Sequence, residues 1–299
     1  MEIKNTTITN KKSPFAVWPY EKLNVLNSSD SRAIRLTEVD QLVMLTVNEM
    51  LITTSFLLHS HLLQMGLERV SINDIRASLA KLSSADYLKK MEFSSPNGTS
   101  MNKVYSLSLK GQVFIKSKGK YPILSGYIDN LEATTAKRIL SALQFILSQN
   151  YTANASSISV ASVVVEKGNC STKENTHIFR PNATIQFEDK TIFVDSVRRT
   201  FENEYKMLQK LKRIDDCLRN SKYLNTPIHD NVDVIIIAED EDHMLSIIDT
   251  VRYSKYRFCY NLIFSNDIDT YNRPENCIYP YEPKRNICDI IMSIIQGKS

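Results

Sequence analysis

Between Val70 and Lys120 the chain carries nine basic residues, Arg76, Lys81, Lys89, Lys90, Lys103, Lys110, Lys116, Lys118 and Lys120, against three acidic ones, Asp74, Asp86 and Glu92. That local surplus of six exceeds the net charge of the whole 299-residue chain, +4, so the positive charge is concentrated in one segment. A concentration of this kind attracts a polyanion, and double-stranded DNA with its regular phosphates is the partner it fits. Asn73, Arg76 and Lys81 lie opposite the helically spaced apolar set Ile72, Ile75, Leu79 and Leu82, which turns them toward base edges in a major groove. Lys89, Lys90 and Lys103 flank the turn at residues 95–99 and would meet backbone phosphates. A solvated surface is the plainer account of the same lysines.

Other chemistry-bearing patterns are sparse. The five histidines, His59, His61, His177, His229 and His243, are scattered and have no Gly-x-Ser-x-Gly elbow beside them, so they form no hydrolase constellation. His59 and His61 stand two apart on one helix and point to different sides, which argues against a shared metal ion. The run Glu239-Asp240-Glu241-Asp242 follows an apolar stretch; it admits a metal site but reads more simply as the acidic cap of the next helix. The five cysteines are odd in number and contain no C-x-x-C pair, and the seven glycines form no phosphate-cradling loop. No metal and no cofactor are expected.

The elements that must position the basic cluster follow the order helix, strand, turn, strand, helix. Ser71 with Asp74 three residues on has the form of a reciprocal helix cap, and residues 87–94 and 102–107 read as the strands of a hairpin. Ser108 then opens a short helix to residue 116, whose Val113 and Phe114 pack back under the hairpin. Two helices precede these. One is capped by Thr37 and lined by Val39, Leu42, Val43, Leu45, Thr46 and Met50; the other covers residues 55–65 with Phe56, Leu57, Leu62 and Leu63, and Gly66 ends it. Three helices and a hairpin are the parts of a winged helix-turn-helix domain, expected over residues 32–121 behind a mobile Asn/Ser/Thr-rich arm at residues 1–31.

Residues 122–156 form a connector and a linking helix over residues 133–149. Its stripe of Ala136, Ile139, Leu140, Leu143, Ile146 and Leu147 reads first as core and second as the seam of a homodimer. Residues 157–299 form an α/β unit: strands at 157–165, 184–187 and 191–197, a helix at 200–218, a strand at 232–238, a helix at 242–253, a strand at 260–264 and a helix at 285–295. The pattern makes a mixed sheet with helices on its faces, and the whole chain is α+β. No apolar run approaches the roughly twenty residues that span a bilayer, and no N-terminal stretch has a basic end followed by an apolar core, so a cytoplasmic protein without membrane contact is expected.

Four segments carry a family resemblance. Arg180-Pro181-Asn182-Ala183 precedes a hairpin, Phe193-Val194-Asp195-Ser196-Val197-Arg198-Arg199-Thr200 closes it, and Lys210-Leu211 lies on the next helix. In that order they resemble the replication-relaxation family of plasmid and mobile-element proteins, whose second domain has an R-P-D start, an E-x-D-R-G-T strand end and a K-L-x-x-Y helix. Tyr105-Ser106-Leu107 with Lys110-Gly111 is similar to the Y-x-L-T-x-x-G ending of that family's wing. The resemblance runs from Leu36 to about Tyr281 and implies a winged helix followed by a domain of the restriction-endonuclease fold.

By that resemblance Asn182 stands where the first carboxylate belongs and Val197 where the second acid of the strand belongs. Asp195 and Val197 share a strand face, but only Asp195 is acidic, and a hard divalent cation needs acidic oxygens from two neighbouring strands. The expectation is a degenerate nuclease site of Asn182, Asp195, Val197 and Lys210 that no longer cuts, with Asp195 paired to Arg198, Arg199 or Lys210. The chain is therefore read as a DNA-binding protein of a plasmid or other mobile element, acting in replication, its control or DNA transfer, with replication or transfer proteins as protein partners. A metal-dependent endonuclease or relaxation enzyme is one rival reading. A winged-helix adaptor or transcriptional regulator is the other.

Overall fold

The structure, a computed structural model, describes residues 13–17, 21–26, 34–94, 103–121, 131–151, 155–160, 164–165, 177–199, 203–219 and 231–281. The expected reciprocal cap at Ser71 forms, and the cap expected at Thr37 is also reciprocal. Thr37 and Asp40 exchange hydrogen bonds at the start of α1 (Glu38–Met50), and Ser71 and Asp74 do the same at α3 (Ile72–Ser84). Each pair satisfies amides that a helix start otherwise leaves without partners. Between them lie β2 (Thr53–Thr54) and α2 (Ser55–Gln64); after α3 come β3 (Leu88–Ser94), β4 (Val104–Leu107) and α4 (Leu109–Ser117).

Val43, Met44 and Val47 of α1, Leu58 and Leu62 of α2, and Ile75, Leu79 and Leu82 of α3 close on one core with Leu88, Leu107 and Ile115. Phe56 and Leu63 of α2 stay exposed, and so does Val113 of α4. Only Phe114 of the expected pair packs back, edge-on against Tyr87.

Within the arm expected at residues 1–31, the described residues 22–26 belong to this unit. β1 (Lys22–Leu26) pairs antiparallel with β3 along its whole length, giving a sheet of order β1-β3-β4-β2. Most of β1 is exposed, so no clean apolar alternation marks it in the sequence.

The second unit is built from α5 (Ala133–Ser148), β5 (Ser157–Val160), β8 (Ala183–Gln186), β9 (Thr191–Ser196), α6 (Asn203–Arg219), β10 (Val232–Ala238), α7 (Glu241–Tyr253), β11 (Asn261–Asn266), α8 (Asp267–Asn272) and β12 (Tyr279–Pro280). β6 (Val164–Val165) and β7 (His177–Phe179) pair in a small sheet of their own, so the single strand expected over residues 157–165 is two elements in two sheets. The main sheet has the order β12-β11-β10-β9-β8-β5. β9, β10 and β11 are parallel; β8 and β5 on one side and β12 on the other run antiparallel to their neighbours. The helix expected over residues 285–295 lies outside the described residues.

Parallel strands need crossovers, and α6 and α7 supply them on one face, packing on Phe193, Val234, Ile236 and Phe264. Ala142, Phe145 and Ile146 of α5 cover the other face over Ile185, Ile192, Val194, Ile235 and Ile237. Burial on both sides explains why the sequence of β10 is almost continuously apolar. The opposite side of α5 completes a further core. Ala136, Ile139, Leu140, Leu143 and Leu147 meet Leu51, Ile52, Met91, Phe93 and Val104 of the first unit. The stripe is thus core covered by its own chain, which corrects the alternative of a homodimer seam. No helix among the described residues is long and apolar enough to cross a membrane.

Candidate nucleic-acid interface

Ile75, Leu79 and Leu82 turn α3 so that Asn73, Arg76, Ala77, Ala80 and Ser84 are exposed on its far side. The alanines keep that surface low around Arg76. Lys81 does not share this face. Its Nζ lies 2.6 Å from Asp40 Oδ2 and 2.8 Å from the Arg35 carbonyl, so the expected base contact is corrected to a structural ion pair between α3 and α1. Asp40 also accepts the Ser78 hydroxyl at 2.7 Å. Burial alone would raise the Asp40 carboxyl, but Lys81, the Thr37 amide and Ser78 outweigh it and hold it below the ordinary carboxylate range.

The hairpin lysines divide. Lys89 and Lys90 are consecutive on β3 and therefore point to opposite faces. Lys90 stands opposite Tyr105 on the three-helix side, whereas Lys89 stands opposite Ser106 on the side where Met91, Phe93 and Val104 pack against α5. Both are half-buried, so they do not line one phosphate track, which corrects the expected pairing of the two. Lys103 is exposed at the start of β4, and Lys116, Lys118 and Lys120 are exposed at the end of α4. The turn between β3 and β4 lies outside the described residues. Lys110 is occupied locally, donating to the Ala85 carbonyl at 2.8 Å with its Nζ 4.5 Å from the centre of the Tyr87 ring.

Of the residues expected to form a degenerate nuclease site, Asn182, Asp195 and Lys210 lie at the mouth of the β8–β9 hairpin. Asn182 Oδ1 accepts the Ser196 amide at 2.8 Å. Asp195, almost buried, is 2.5 Å from Lys210, whose Nζ also reaches the Arg180 carbonyl at 2.7 Å. Of the three candidate partners for Asp195, Lys210 is the one that pairs with it. Val197 is 4% exposed and sits in the core beneath α6 and α7, offering no ligand to any ion. Among the described residues no group of three or more His, Cys, Asp or Glu side chains is placed to hold a metal.

Arg198 and Arg199 serve other contacts, which the sequence reading missed. Arg198 is fully buried, with Nη1 2.5 Å from Asp267 Oδ2. Asp267 also accepts the hydroxyls of Ser141 at 2.6 Å and of Ser13, and Ser196 bridges Arg198 and Ser141. Beside this network Lys137 of α5 pairs at 2.5 Å with Glu21, both side chains 1% exposed, and donates to the Ala16 carbonyl. Residues 13–17 and Glu21 are thereby fixed beside the carboxyl ends of the parallel strands. These partners are far apart in the chain, and no local spacing announces them. Arg199 pairs with Asp240 at 2.5 Å, and Asp240 accepts the His243 amide at 2.9 Å as the N-cap of α7. Asp240 of the acidic run caps the helix, two residues before Asp242, whereas Glu239 is buried and accepts the Arg199 amide at 2.9 Å.

No protein-family model matches the chain, and comparison with curated proteins and with solved structures finds none that matches it.

Proposed function

We propose that the chain binds double-stranded DNA through α3 and the β3–β4 hairpin as a winged helix, and that its second unit is a restriction-endonuclease-like domain that does not cut. The observation that carries the reading is the exposed surface of α3, where Asn73 and Arg76 stand beside small alanines on a helix held by three apolar anchors. The local surplus of positive charge supports it, with Lys103, Lys116, Lys118 and Lys120 exposed in the same unit. Support for a non-cutting second unit comes from its carboxylate count. Among the described residues, Asp195 is the acid at the mouth of the hairpin and is matched by the ammonium of Lys210, and the neighbouring positions are an amide and a buried valine. An action in replication, its control or transfer of a plasmid or mobile element rests on the motif order alone.

The test is duplex binding by the full chain, followed by selection of preferred sequences from a random library. Affinity that falls steeply with salt and drops when Arg76 becomes alanine supports the reading. A chain that binds no duplex at low salt, yet folds, leaves the winged-helix adaptor in its place.

A further inference from the structure

Residues 252–260, at the end of α7 and just beyond it, include three basic and four aromatic side chains and no acid. Contacts with α6 fix this segment. Asp215, fully buried on α6, accepts the Tyr256 hydroxyl at 3.1 Å and the Cys259 amide at 2.5 Å, and Arg219 donates to the Arg257 carbonyl at 3.0 Å. Tyr256, Phe258 and Tyr260 form a row of rings with centres 5.0 and 5.2 Å apart, which ends in the core where the Tyr260 hydroxyl donates to the Leu211 carbonyl. Lys212 of α6 places its Nζ 5.2 Å from the centre of the Tyr256 ring. Tyr253 is 80% exposed, and Lys255 and Arg257 are exposed beside it in the chain. Of the acids that touch the segment, Asp215 is paired with Arg219 at 2.6 Å and Asp216 reaches only the Tyr256 hydroxyl at 3.4 Å, so the positive surplus stands. Lys255 adds an independent observation. Its φ of 53° lies in the left-handed region, where glycine is unstrained and a side chain costs free energy, so an ammonium is kept at the helix end against the preference of the backbone.

We infer that this end of α7, with Lys212 of α6, is a binding surface for single-stranded nucleic acid, on which a base stacks against Tyr253 while Lys212, Lys255 and Arg257 hold the neighbouring phosphates. Basic side chains interleaved with aromatic ones suit a strand whose base faces are open, because stacking and phosphate attraction then act together. A duplex keeps its base faces covered, so it would use the cations and leave the tyrosine idle. An anionic membrane is a poorer fit, since the large exposed side chain here is a tyrosine and insertion draws on aliphatic groups or tryptophan. The anchoring of Tyr256 and Cys259 on Asp215 means that the segment is ordered before a strand arrives, which lowers the cost of binding. The surface belongs to the second unit, and it stands apart from the duplex contact proposed for α3.

The full chain is titrated across a range of salt against end-labelled oligothymidylate, oligouridylate and a duplex, and against anionic lipid vesicles, as the parent and as Tyr253→Ala, Tyr253→Phe, Lys255→Gly, Arg257→Gln and Arg76→Ala. Both oligomers are expected to bind the parent alike, because a base face and a phosphate do not report the sugar. Tyr253→Ala, at an exposed position, is expected to weaken both roughly five- to a hundredfold, while Tyr253→Phe keeps the ring and the parent's affinity. Lys255→Gly and Arg257→Gln should each lower the salt slope by about 0.7, the value for one phosphate contact on a single strand. Lys255→Gly should also raise the thermal midpoint, by about 1 to 3 °C, since it relieves the left-handed residue. Oligomers that fail to bind at low salt, or that bind Tyr253→Ala as tightly as the parent, overturn the surface. So does vesicle binding that needs Tyr253 where the oligomers do not bind, which would make it a membrane contact. A lower midpoint with an unchanged slope in Lys255→Gly makes that lysine a fold residue and overturns its part. Single-strand binding lost in Arg76→Ala belongs to α3 and overturns this surface, whereas single-strand binding by a parent that binds no duplex removes the proposed duplex contact and leaves this one standing.

Discussion

Lys81 and Asp40 join α3 to α1 across 2.6 Å, and this contact turns a residue of base-reading type into a part of the scaffold. Lys81→Ala leaves the carboxyl of Asp40, 2% exposed, without its counterion. The lysine itself is about a third exposed, so solvent screens much of the pair, and a loss near 1 kcal/mol of stability is expected, measured by urea denaturation. Arg76→Ala should do the reverse, weakening duplex binding by about 1 to 3 kcal/mol while the denaturation midpoint stays put. Equal effects of the two variants on DNA affinity would contradict the division of roles.

Gly111 lies in the first turn of α4, against the start of the hairpin. A Cβ there would lie 2.2 Å from the Tyr87 carbonyl oxygen, which is backbone and cannot swing aside. Gly111→Ala should therefore destabilise the chain by about 1 to 3 kcal/mol or more, through displacement of α4 from β3. A thermal midpoint equal to the parent's would show that the helix moves without cost.

What was legible in the sequence was local. The Thr37–Asp40 and Ser71–Asp74 caps, the apolar faces of α1 and α3, and the β8–β9 hairpin are each written within a few residues, and each forms. What was not legible depended on partners distant in the chain. Nothing around Lys22–Leu26 marks it as a sheet edge, and nothing beside Arg198 foretells Asp267. Lys81 looked free because Asp40 lies on another helix. The opposite facing of Lys89 and Lys90, by contrast, follows from strand periodicity and was available from their adjacency.

Purified protein should not nick supercoiled DNA in magnesium or manganese, since among the described residues Asp195 is the acid at the hairpin mouth and Lys210 already pairs with it. Restoring acids is not symmetric between the two altered positions. Asn182→Asp keeps an oxygen for the Ser196 amide and should fold. Val197→Asp places a carboxyl in the core under α6 and α7 and should cost several kcal/mol or prevent folding. Circular dichroism melts distinguish them, and magnesium-dependent nicking by the parent, lost in Asp195→Ala, would restore the endonuclease reading.

His243 gives a pH signature. It is 3% exposed, and burial, with Arg199 nearby, lowers its pKa from 6.5 to about 4; its Nδ1 accepts the Glu239 amide at 3.3 Å. The folded state holds the neutral ring, so its contribution is complete above pH 6.5 and is lost as pH falls toward 4, by about 3 kcal/mol in all. Glu239 acts oppositely, because burial raises its pKa and acid favours its folded form. The comparison that isolates the histidine is parent against His243→Gln, whose stability should fall less between pH 6.5 and 4. Parallel pH profiles for the two proteins would assign the acid sensitivity elsewhere.

Because α5 gives one side to the β-sheet core and the other to the first unit, neither half has a finished hydrophobic surface of its own. A gene cut at residue 121 would yield a fragment with Met91, Phe93 and Val104 facing water, and a fragment begun at residue 131 would bare the matching stripe of α5. The two halves are therefore inseparable in the test tube and in descent: they melt together in one transition, and recombination that shuffles modules at their border would leave both partners sticky and short-lived.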